Sequence, residues 1–226
     1  MKVKRIDVQR KVVTKNDRIA AENRKIFKGL GAFVINMVSS PGSGKTSLIE
    51  ATVKALKDEA NIFVITGDLM TDNDAARVAR HGIEVSQVTT GEACHLDASM
   101  VAEKLETWKS EKCDLVIVEN VGNLVCPASF DLGEDVKVLL ISVTEGDDKP
   151  IKYPPMVRAS SVLVISKIDL LPYVDSDPET IQANALKIQP DMKTFRISCK
   201  TGEGIDQWID WLRSQLETKR RIRERL

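Results

Sequence analysis

The sequence has no excess of charge of either sign, because its 33 Lys and Arg residues are balanced by 33 Asp and Glu residues. A balanced surface lacks the broad positive field with which nucleic-acid-binding proteins attract phosphates, so nucleic acid is not an expected partner. No apolar run approaches the roughly 20 residues that cross a bilayer, and the basic segment 1–15 lacks the apolar stretch of a secretory signal. These absences predict a cytoplasmic protein that does not bind membranes.

Cysteine is scarce in the chain. The four residues Cys94, Cys113, Cys126 and Cys199 are too few and too scattered for a disulfide framework. In a reducing cytosol they are expected to remain thiols, with roles in packing or metal binding. Cys113, between a lysine and an aspartate at the start of a predicted strand, is interpreted as a packing residue.

What the sequence does contain is a regular alternation of apolar, strand-like runs with helical stretches. The strand-like runs are 33–38, 62–66, 84–88, 115–119, 138–143, 162–165 and 194–198. The helical stretches are 45–58, 74–81, 96–109, 179–188 and 204 to the C-terminus. This alternation predicts an α/β fold with a mostly parallel central β-sheet flanked by helices on both faces.

The region before the first strand has apolar side chains spaced among many charged ones over residues 3–28, which predicts an N-terminal amphipathic helix. We expect residues 1–226 to form a single domain, with the helix at 1–28 and the core at 29–226. The charged tail 217–226 is interpreted as a solvated helix end.

The segment Ser39-Ser40-Pro41-Gly42-Ser43-Gly44-Lys45-Thr46 follows a strand and opens a helix, which is the context of a P-loop. Gly42 and Gly44 allow the backbone to turn its amide groups toward phosphates at the helix N-terminus. Lys45 is expected to reach the β- and γ-phosphates and Thr46 to ligate Mg²⁺. Ser39 stands where the strict pattern has Gly.

The neighbouring serines, Ser43 and Ser47, are also assigned to nucleotide binding. Magnesium needs further oxygen ligands, which usually lie at the ends of neighbouring strands. Asp68, Asp74 and Glu119 are the candidates for these ligands and for catalysis, with Asp74 and Glu119 assigned to Mg²⁺. Each of the three could instead be a solvated carboxylate or a helix cap.

The choice of base must come from elsewhere in the chain. Ser166-Lys167-Ile168-Asp169 resembles the Asn-Lys-x-Asp motif of GTPases, in which the Asp accepts hydrogen bonds from guanine N1 and N2 and the Lys stem packs over the base. Ser166 replaces the usual Asn, which predicts weaker guanine affinity with specificity retained by Asp169. Ser198-Cys199-Lys200 resembles the Ser-Ala-Lys loop beside the guanine carbonyl. Together with the P-loop, these motifs predict a GTPase.

Thiol and imidazole groups form a second constellation. Cys94 and His95 are adjacent, and Cys126 follows a predicted strand. Thiolate and imidazole are preferred ligands of Zn²⁺ and suit Ni²⁺ as well. Three ligands leave a fourth position for solvent, for Asp97, or for a second subunit across a twofold axis. The alternative is that the thiols only pack in the core.

These motifs together resemble one family, the hydrogenase nickel-incorporation GTPases called HypB, of the SIMIBI class of P-loop GTPases. The resemblance covers nearly the whole chain. It rests on the P-loop, on Ser-Lys-Ile-Asp-Leu at 166–170, and on three further stretches at 90–97, 118–127 and 144–150. The stretches Thr-Gly-Glu-Ala-Cys-His-Leu-Asp and Val-Glu-Asn-Val-Gly-Asn-Leu-Val-Cys-Pro are specific to it.

The resemblance implies a GTP-hydrolysing metallochaperone that delivers nickel to the large subunit of [NiFe]-hydrogenase together with a HypA-like zinc protein. It implies that Cys94, His95 and Cys126 match a nickel or zinc site linked to the GTPase switch. It also implies a GTP-favoured homodimer, with the metal at the interface, in which a lysine of one subunit reaches the nucleotide of the other. Lys152 is the candidate for that lysine, and a plain surface lysine is the alternative.

Some features of the family are missing from this sequence. It has no His-rich tract for nickel storage and no Cys-rich N-terminal motif, so transfer through the GTPase-domain site is expected rather than storage. No catalytic base or arginine finger is evident, so slow turnover is expected. The alternatives are a GTPase chaperone for another metal or cofactor enzyme, as for urease, or a nucleotide-gated binding protein without a metal role. The Cys-Pro-His sequence of the urease accessory protein is absent, since Ala128 follows Cys126-Pro127.

Overall fold

The computed structural model describes residues 8–108 and 112–224. Its centre is a seven-stranded, fully parallel sheet with the strand order β3-β2-β4-β1-β5-β6-β7. The strands are β1 Phe33–Ser39, β2 Ile62–Asp68, β3 Glu84–Thr89, β4 Leu115–Glu119, β5 Val136–Ser142, β6 Val162–Ser166 and β7 Lys193–Ile197. The predicted parallel sheet and its seven strands are therefore confirmed.

The helices are α1 Val8–Leu30, α2 Lys45–Leu56, α3 Asn73–Ala79, α4 Ala98–Thr107, α5 Lys149–Lys152, α6 Pro154–Ala159, α7 Pro178–Leu186 and α8 Ile205–Arg223. Short 3₁₀ turns lie at Cys126–Ser129, Val143–Glu145 and Ile168–Tyr173. Parts of three predicted helices, at residues 3–7, 109 and 225–226, lie outside the described residues. Within the described ranges, none of the helices combines the length and apolar character needed to span a bilayer.

Both faces of the sheet are covered by helices. On one face, alternate β1 residues such as Phe33 and Ile35 pack with α2 and with Trp208 of α8. On the other face, Val34 packs with α1 and α4, and Val38 packs with α6 and α7. Because parallel strands are buried on both sides, their residues are apolar without alternation.

Helix α1 holds two distant segments of the chain together. Asn16 donates to the Asp131 carbonyl at 2.8 Å and accepts from the Ala98 amide at 2.8 Å. Asn23 donates to the carbonyls of Ala98 and Leu132 at 2.8 and 3.1 Å. Both asparagines are at most 5% exposed, so α1 is fixed against the start of α4 and the segment before β5.

Candidate nucleotide and metal sites

The P-loop joins the end of β1 to the start of α2. Gly42 and Gly44 have φ angles of 75° and 96°, a left-handed region that residues with a Cβ rarely adopt. Gly44 is the N-cap of α2 and offers no side-chain cap. The first backbone amides of α2 therefore lack partners within the helix, which is the arrangement that binds phosphate.

A cleft of about 500 Å³ opens above this loop, bounded by the carboxyl ends of β2 and β4. Its lining includes most of the residues that the motifs single out for phosphate and magnesium: Gly42, Ser43, Gly44, Lys45, Thr46, Ser47, Asp68, Asp74, Glu119 and Lys167. The fold thus brings together residues up to 125 positions apart. This is the crevice at the carboxyl ends of parallel strands where α/β proteins bind ligands.

Lys45 and Glu119 are buried charged groups in this cleft, with exposures of 8% and 4%. Lys45 Nζ donates to Ser39 Oγ at 2.9 Å, so the serine at the first P-loop position anchors the lysine. Burial lowers the pKa of Lys45, although Glu119 and Asp74 raise it. Because the ammonium group of Lys45 is largely removed from water, it is suited to binding phosphate oxygens, which replace its lost hydration.

Thr46 and Glu119 form the candidate magnesium site. Thr46 Oγ1 donates to Glu119 Oε1 at 2.6 Å, and among the described residues Glu119 Oε2 is buried without a hydrogen-bond partner. Burial raises the pKa of Glu119 to about 7. Two hard oxygens, one of them an unpartnered carboxylate oxygen, fit the donor set of Mg²⁺, which would also return the carboxylate to its charged form.

The raised pKa predicts how stability changes with pH when nucleotide and metal are absent. Between pH 4.5 and 7 the unfolded chain releases the Glu119 proton while the folded chain keeps it, so this group lowers the free energy of unfolding as pH rises. Glu119→Gln removes the titration. As pH rises from 4.5 to 7, the free energy of unfolding of Glu119→Gln should therefore increase by roughly 3 kcal/mol relative to that of wild type. Urea denaturation in EDTA measures this difference. Equal pH slopes for the two proteins would contradict the assignment.

Asp68 and Asp74 lie on the other side of the cleft. Asp68 Oδ1 accepts from the amides of Met70 and Thr71 at 2.9 and 2.8 Å. Burial raises the pKa of Asp68, but these bonds and the charge of Lys45 lower it overall. Asp74, in the first turn of α3, forms an ion pair at 3.5 Å with Arg77. Both residues line the cleft.

The sequence motifs assign no role to two residues, one of which lines the cleft while the other contacts the P-loop. Arg77 lines the cleft and forms an ion pair with Glu50 of α2. Glu145, after β5, accepts from Ser43 Oγ at 2.6 Å and from the Ser142 amide at 2.9 Å, which ties the P-loop to the end of that strand. No motif signals Arg77, whereas Glu145 lies in the family-like stretch 144–150.

The residues predicted to recognise the base meet the P-loop from the side of β6. Ser166 Oγ donates to the Ser43 carbonyl at 2.6 Å, so the hydroxyl that replaces the usual amide still braces the loop. Lys167, in a left-handed conformation with φ 59°, donates to the Gly42 carbonyl at 2.6 Å. Asp169 Oδ1 accepts from Ser198 Oγ at 2.6 Å, which joins the two base motifs.

The remaining predicted nucleotide residues lie farther out. Cys199 and Lys200 line a second cleft of about 730 Å³ together with Ser47 and His81. Lys152, in α5, is exposed and pairs with Asp148 at 2.7 Å. It does not line the phosphate cleft of its own chain.

The thiol and imidazole groups converge at one point. The Sγ atoms of Cys94 and Cys126 are 2.8 Å apart, and Cys94 Sγ is 3.8 Å from His95 Nδ1. One ligand atom from each of the three residues lies within 4.8 Å of the others, and all three residues are half-buried. Asp97 does not belong to this group, because its Oδ1 caps α4 by accepting from the amides of Ser99 and Met100.

The protonation of this group suits a soft metal ion. Burial lowers the pKa of His95, which favours the neutral imidazole that binds metals, and the ring packs on Phe130 with centroids 4.0 Å apart. The hydrogen bond to Cys126 raises the pKa of Cys94, so Cys94 remains a thiol when no metal is bound. A metal ion would displace the thiol protons and take two thiolates and one imidazole. The donor set therefore fits Ni²⁺ or Zn²⁺.

The nucleotide cleft and the thiol group are joined by a short connection. Glu119 ends β4 at the cleft, and Cys126 lies seven residues later. Between them, a Cβ on Gly122 would lie 3.0 Å from Pro41 of the P-loop, so only glycine fits this contact without displacing the loop. Asn123 donates to the Cys94 carbonyl at 3.2 Å, which links the connection to the other ligand segment.

Comparison with known proteins places this arrangement in a family. The model of the CobW/HypB/UreG nucleotide-binding domain matches residues 33–196. The hydrogenase maturation factor HypB of Azotobacter chroococcum mcd 1 is 47% identical over 218 residues, which are 96% of this chain and 72% of that protein. The chain belongs to the HypB family.

Two solved structures of the HypB family have the same fold. HypB from Archaeoglobus fulgidus is 41% identical, with a TM-score of 0.84 over 90% of this chain and 99% of that one. HypB from Helicobacter pylori in complex with nickel is 40% identical, with a TM-score of 0.84 over 92% of this chain and 96% of that one. The predicted P-loop NTPase fold and the resemblance to HypB are confirmed.

Proposed function

We propose that this protein hydrolyses GTP and uses the cycle to deliver nickel to the large subunit of [NiFe]-hydrogenase. The observation that carries the proposal is that Cys94, His95 and Cys126 form a three-ligand group, and that the segment holding Cys126 begins at Glu119 in the nucleotide cleft. The HypB relatives are named hydrogenase maturation factors, and one was solved with nickel.

The phosphate cleft supplies the groups that phosphoryl transfer needs. Lys45 and the first amides of α2 bind the phosphate oxygens and stabilise the charge that develops when water attacks the γ-phosphate in line. Thr46 and Glu119, with Asp74 across the cleft, would hold Mg²⁺, which would supply charge stabilisation at the phosphates. Asp169 and Lys167 select guanine. No side chain here is an evident base, which supports slow turnover.

Nickel is the cargo of this cycle and binds apart from the phosphates. Cys94, His95 and Cys126 provide three of the four ligands that planar Ni²⁺ takes, and zinc is the competing ion for the same set. A second subunit across a twofold axis can supply the rest, which places the metal at a homodimer interface favoured by GTP. Lys152 is the proposed lysine that reaches the partner's nucleotide.

Hydrolysis is proposed to act on the metal through the connection from Glu119 to Cys126. Loss of the γ-phosphate changes the contacts at Glu119 and at Asp68, and the segments that start there relax. Nucleotide state would then change metal affinity, in the cytoplasm, with a HypA-like protein and the hydrogenase large subunit as partners. This coupling is the part of the proposal that a binding titration tests directly.

The experiment is a Ni²⁺ titration of the metal-free protein with and without a non-hydrolysable GTP analogue. Thiolate-to-nickel absorbance and molecular mass are followed together. We expect the thiolate-to-nickel absorbance to be abolished in Cys94→Ala and unchanged in Cys199→Ala. In wild type, the GTP analogue should change this absorbance and shift the protein to a dimer. If nickel binding does not need Cys94 in either state, the GTPase assignment stands and the nickel-delivery function is wrong.

A competing Zn²⁺ titration separates the remaining alternatives. Cys94-dependent binding of zinc with no binding of nickel would favour a chaperone for another metal enzyme. Binding of neither ion by wild type would favour a nucleotide-gated protein in which the thiols only pack.

A further inference from the structure

Four polar side chains, linked by two hydrogen bonds and one ion pair, form a continuous chain beneath the two segments that hold the candidate metal ligands. We call them the buried polar chain: Asn120, Asn36, Glu134 and Lys137. Asn36 is 0%, Asn120 1% and Lys137 7% exposed, and the Glu134 side chain is 7% exposed. They lie on the sheet face covered by α1 and α4. Asn36 is two residues after Val34 in β1 and therefore shares its face, and Asn36 is paired with Lys137 in the β1–β5 register.

One end of the buried polar chain holds the first ligand segment. Asn120 Oδ1 accepts from the backbone amide of Leu96, the residue after His95, at 3.0 Å. It also accepts from the Val121 amide at 3.0 Å. On its other side, Asn120 Nδ2 donates to Asn36 Oδ1 at 3.2 Å.

The other end holds the second ligand segment. Asn36 Nδ2 donates to Glu134 Oε1 at 3.1 Å, and Lys137 Nζ lies 3.5 Å from the same oxygen. Lys137 Nζ also donates to the carbonyl of Pro127, the residue after Cys126, at 2.9 Å and to that of Phe130 at 3.1 Å. The three N–H donors of the ammonium thus have three acceptors.

A buried ion pair is an expensive way to stabilise a fold. Desolvation of a lysine and a glutamate consumes most of their attraction, and apolar residues of similar volume are often equally stabilising at such positions. What apolar residues cannot do is fix two backbone segments at defined hydrogen-bond distances. The arrangement therefore points to positioning rather than to stability.

We propose that the buried polar chain sets the separation between Cys94 and Cys126, with Lys137 as the positioning residue for the Cys126 segment. Because Asn120 directly follows Glu119, the same chain ties both ligand segments to the nucleotide cleft. The metal consequence rests on the proposed function, whereas the separation of the two thiols does not. Lys137 acts through the Pro127 carbonyl and touches neither metal nor nucleotide.

The test uses Lys137→Met, which keeps the length of the stem and removes all three donors. Lys187→Met, at an exposed position on the C-terminal side of α7, is the matched control. The first readout is phenylarsine oxide, which bridges only closely spaced thiols, followed by intact mass with Cys94→Ala as a blank. We expect bridging in wild type and Lys187→Met at equal rates, and bridging in Lys137→Met at least about 10-fold slower.

The second readout is the Ni²⁺ titration. Lys137→Met is expected to weaken nickel binding by about 10-fold or more, the range seen when outer partners of metal ligands are removed, while affinity for the GTP analogue is unchanged. Asn36→Ala, which cuts the chain at its middle, is expected to reduce the effect of the analogue on nickel affinity. Wild-type rates of bridging in a folded Lys137→Met protein would overturn the proposal.

Two further outcomes are distinguishable. Lys137→Met could fail to fold because Glu134 is left without its cationic partner. The double variant Glu134→Gln/Lys137→Met then removes both charges, and bridging at the wild-type rate in this variant overturns the proposal. If wild type binds no nickel but Lys137→Met still slows bridging, the proposed function fails and the positioning role stands.

Discussion

Lys45→Ala is expected to lower kcat for GTP hydrolysis by a factor of about 10²–10³, the cost of removing one pre-organised charged donor from a buried site. The Lys45 side chain is buried beside Glu119 and fixed by Ser39 Oγ, so no other cation among the described residues of the cleft can take its place without moving. Arg77 lines the same cleft but is held by Glu50 and Asp74. Phosphate release at saturating GTP measures the effect.

The controls for this prediction separate charge from geometry. Lys57→Ala, at the exposed C-cap of α2, should leave kcat unchanged. Lys45→Arg keeps the charge in a larger, planar group and should recover little activity, because the space between Ser39 and Glu119 fits an ammonium. A Lys45→Ala protein within about threefold of wild type would mean that the chemistry occurs elsewhere.

Asp169→Asn is expected to weaken GTP binding by about 100-fold or more and to improve binding of xanthosine triphosphate. The carboxylate accepts from two guanine donors, and each such charge-assisted bond contributes about 1.5–3 kcal/mol. An amide presents one acceptor and one donor. That pair matches xanthine, in which a carbonyl replaces the exocyclic amine, and mismatches guanine.

Equilibrium binding of both nucleotides to wild type, Asp169→Asn and Asp191→Asn measures this switch. Asp191 is exposed and precedes the amino end of β7, whereas the base motifs follow the carboxyl ends of β6 and β7, so its variant should bind as wild type does. Ser198 Oγ can still donate to the Asn carbonyl oxygen, which keeps the loop in place. If Asp169→Asn binds GTP normally, guanine is recognised by other residues.

The central strands could be predicted because buried parallel strands are rich in apolar residues, whereas the edge strands β3 and β7 were recognised by shorter apolar patterns with polar residues between them. Most boundaries shift by one or two residues, and the largest shift at the start of a strand has a physical cause. β5 begins at Val136 rather than 138. The charged Lys137 interrupts the apolar run, and its burial depends on two backbone carbonyls and the Glu134 carboxylate, which no local sequence pattern reveals.

The helices were predicted less completely. α4 begins at Ala98 rather than 96, because Asp97 is its N-cap. The short helices α5 and α6 were not predicted, since the prolines at 150, 154 and 155 suggest turns. Proline is tolerated in the first turn of a helix, and that is where these prolines lie.

Of the candidate site, the residues within motifs could be placed from sequence, because phosphate and metal chemistry restricts residue type and spacing. Arg77, Glu145 and Lys137 could not. Their roles depend on partners 27, 102 and 7–10 residues away, which only the packed fold brings into contact.

The three-ligand group has a consequence for the time that an ion stays bound. A closed tetrahedral set from one chain holds its metal until several bonds break, whereas three donors from one chain leave a vacant coordination position. Under the proposed delivery function, a receiving protein would place its own ligand there before the first thiolate departs, so the ion would pass by stepwise exchange without release into solution. An incomplete ligand set therefore favours a short residence time and direct transfer of the ion, which suit a metallochaperone better than a metal-storage protein.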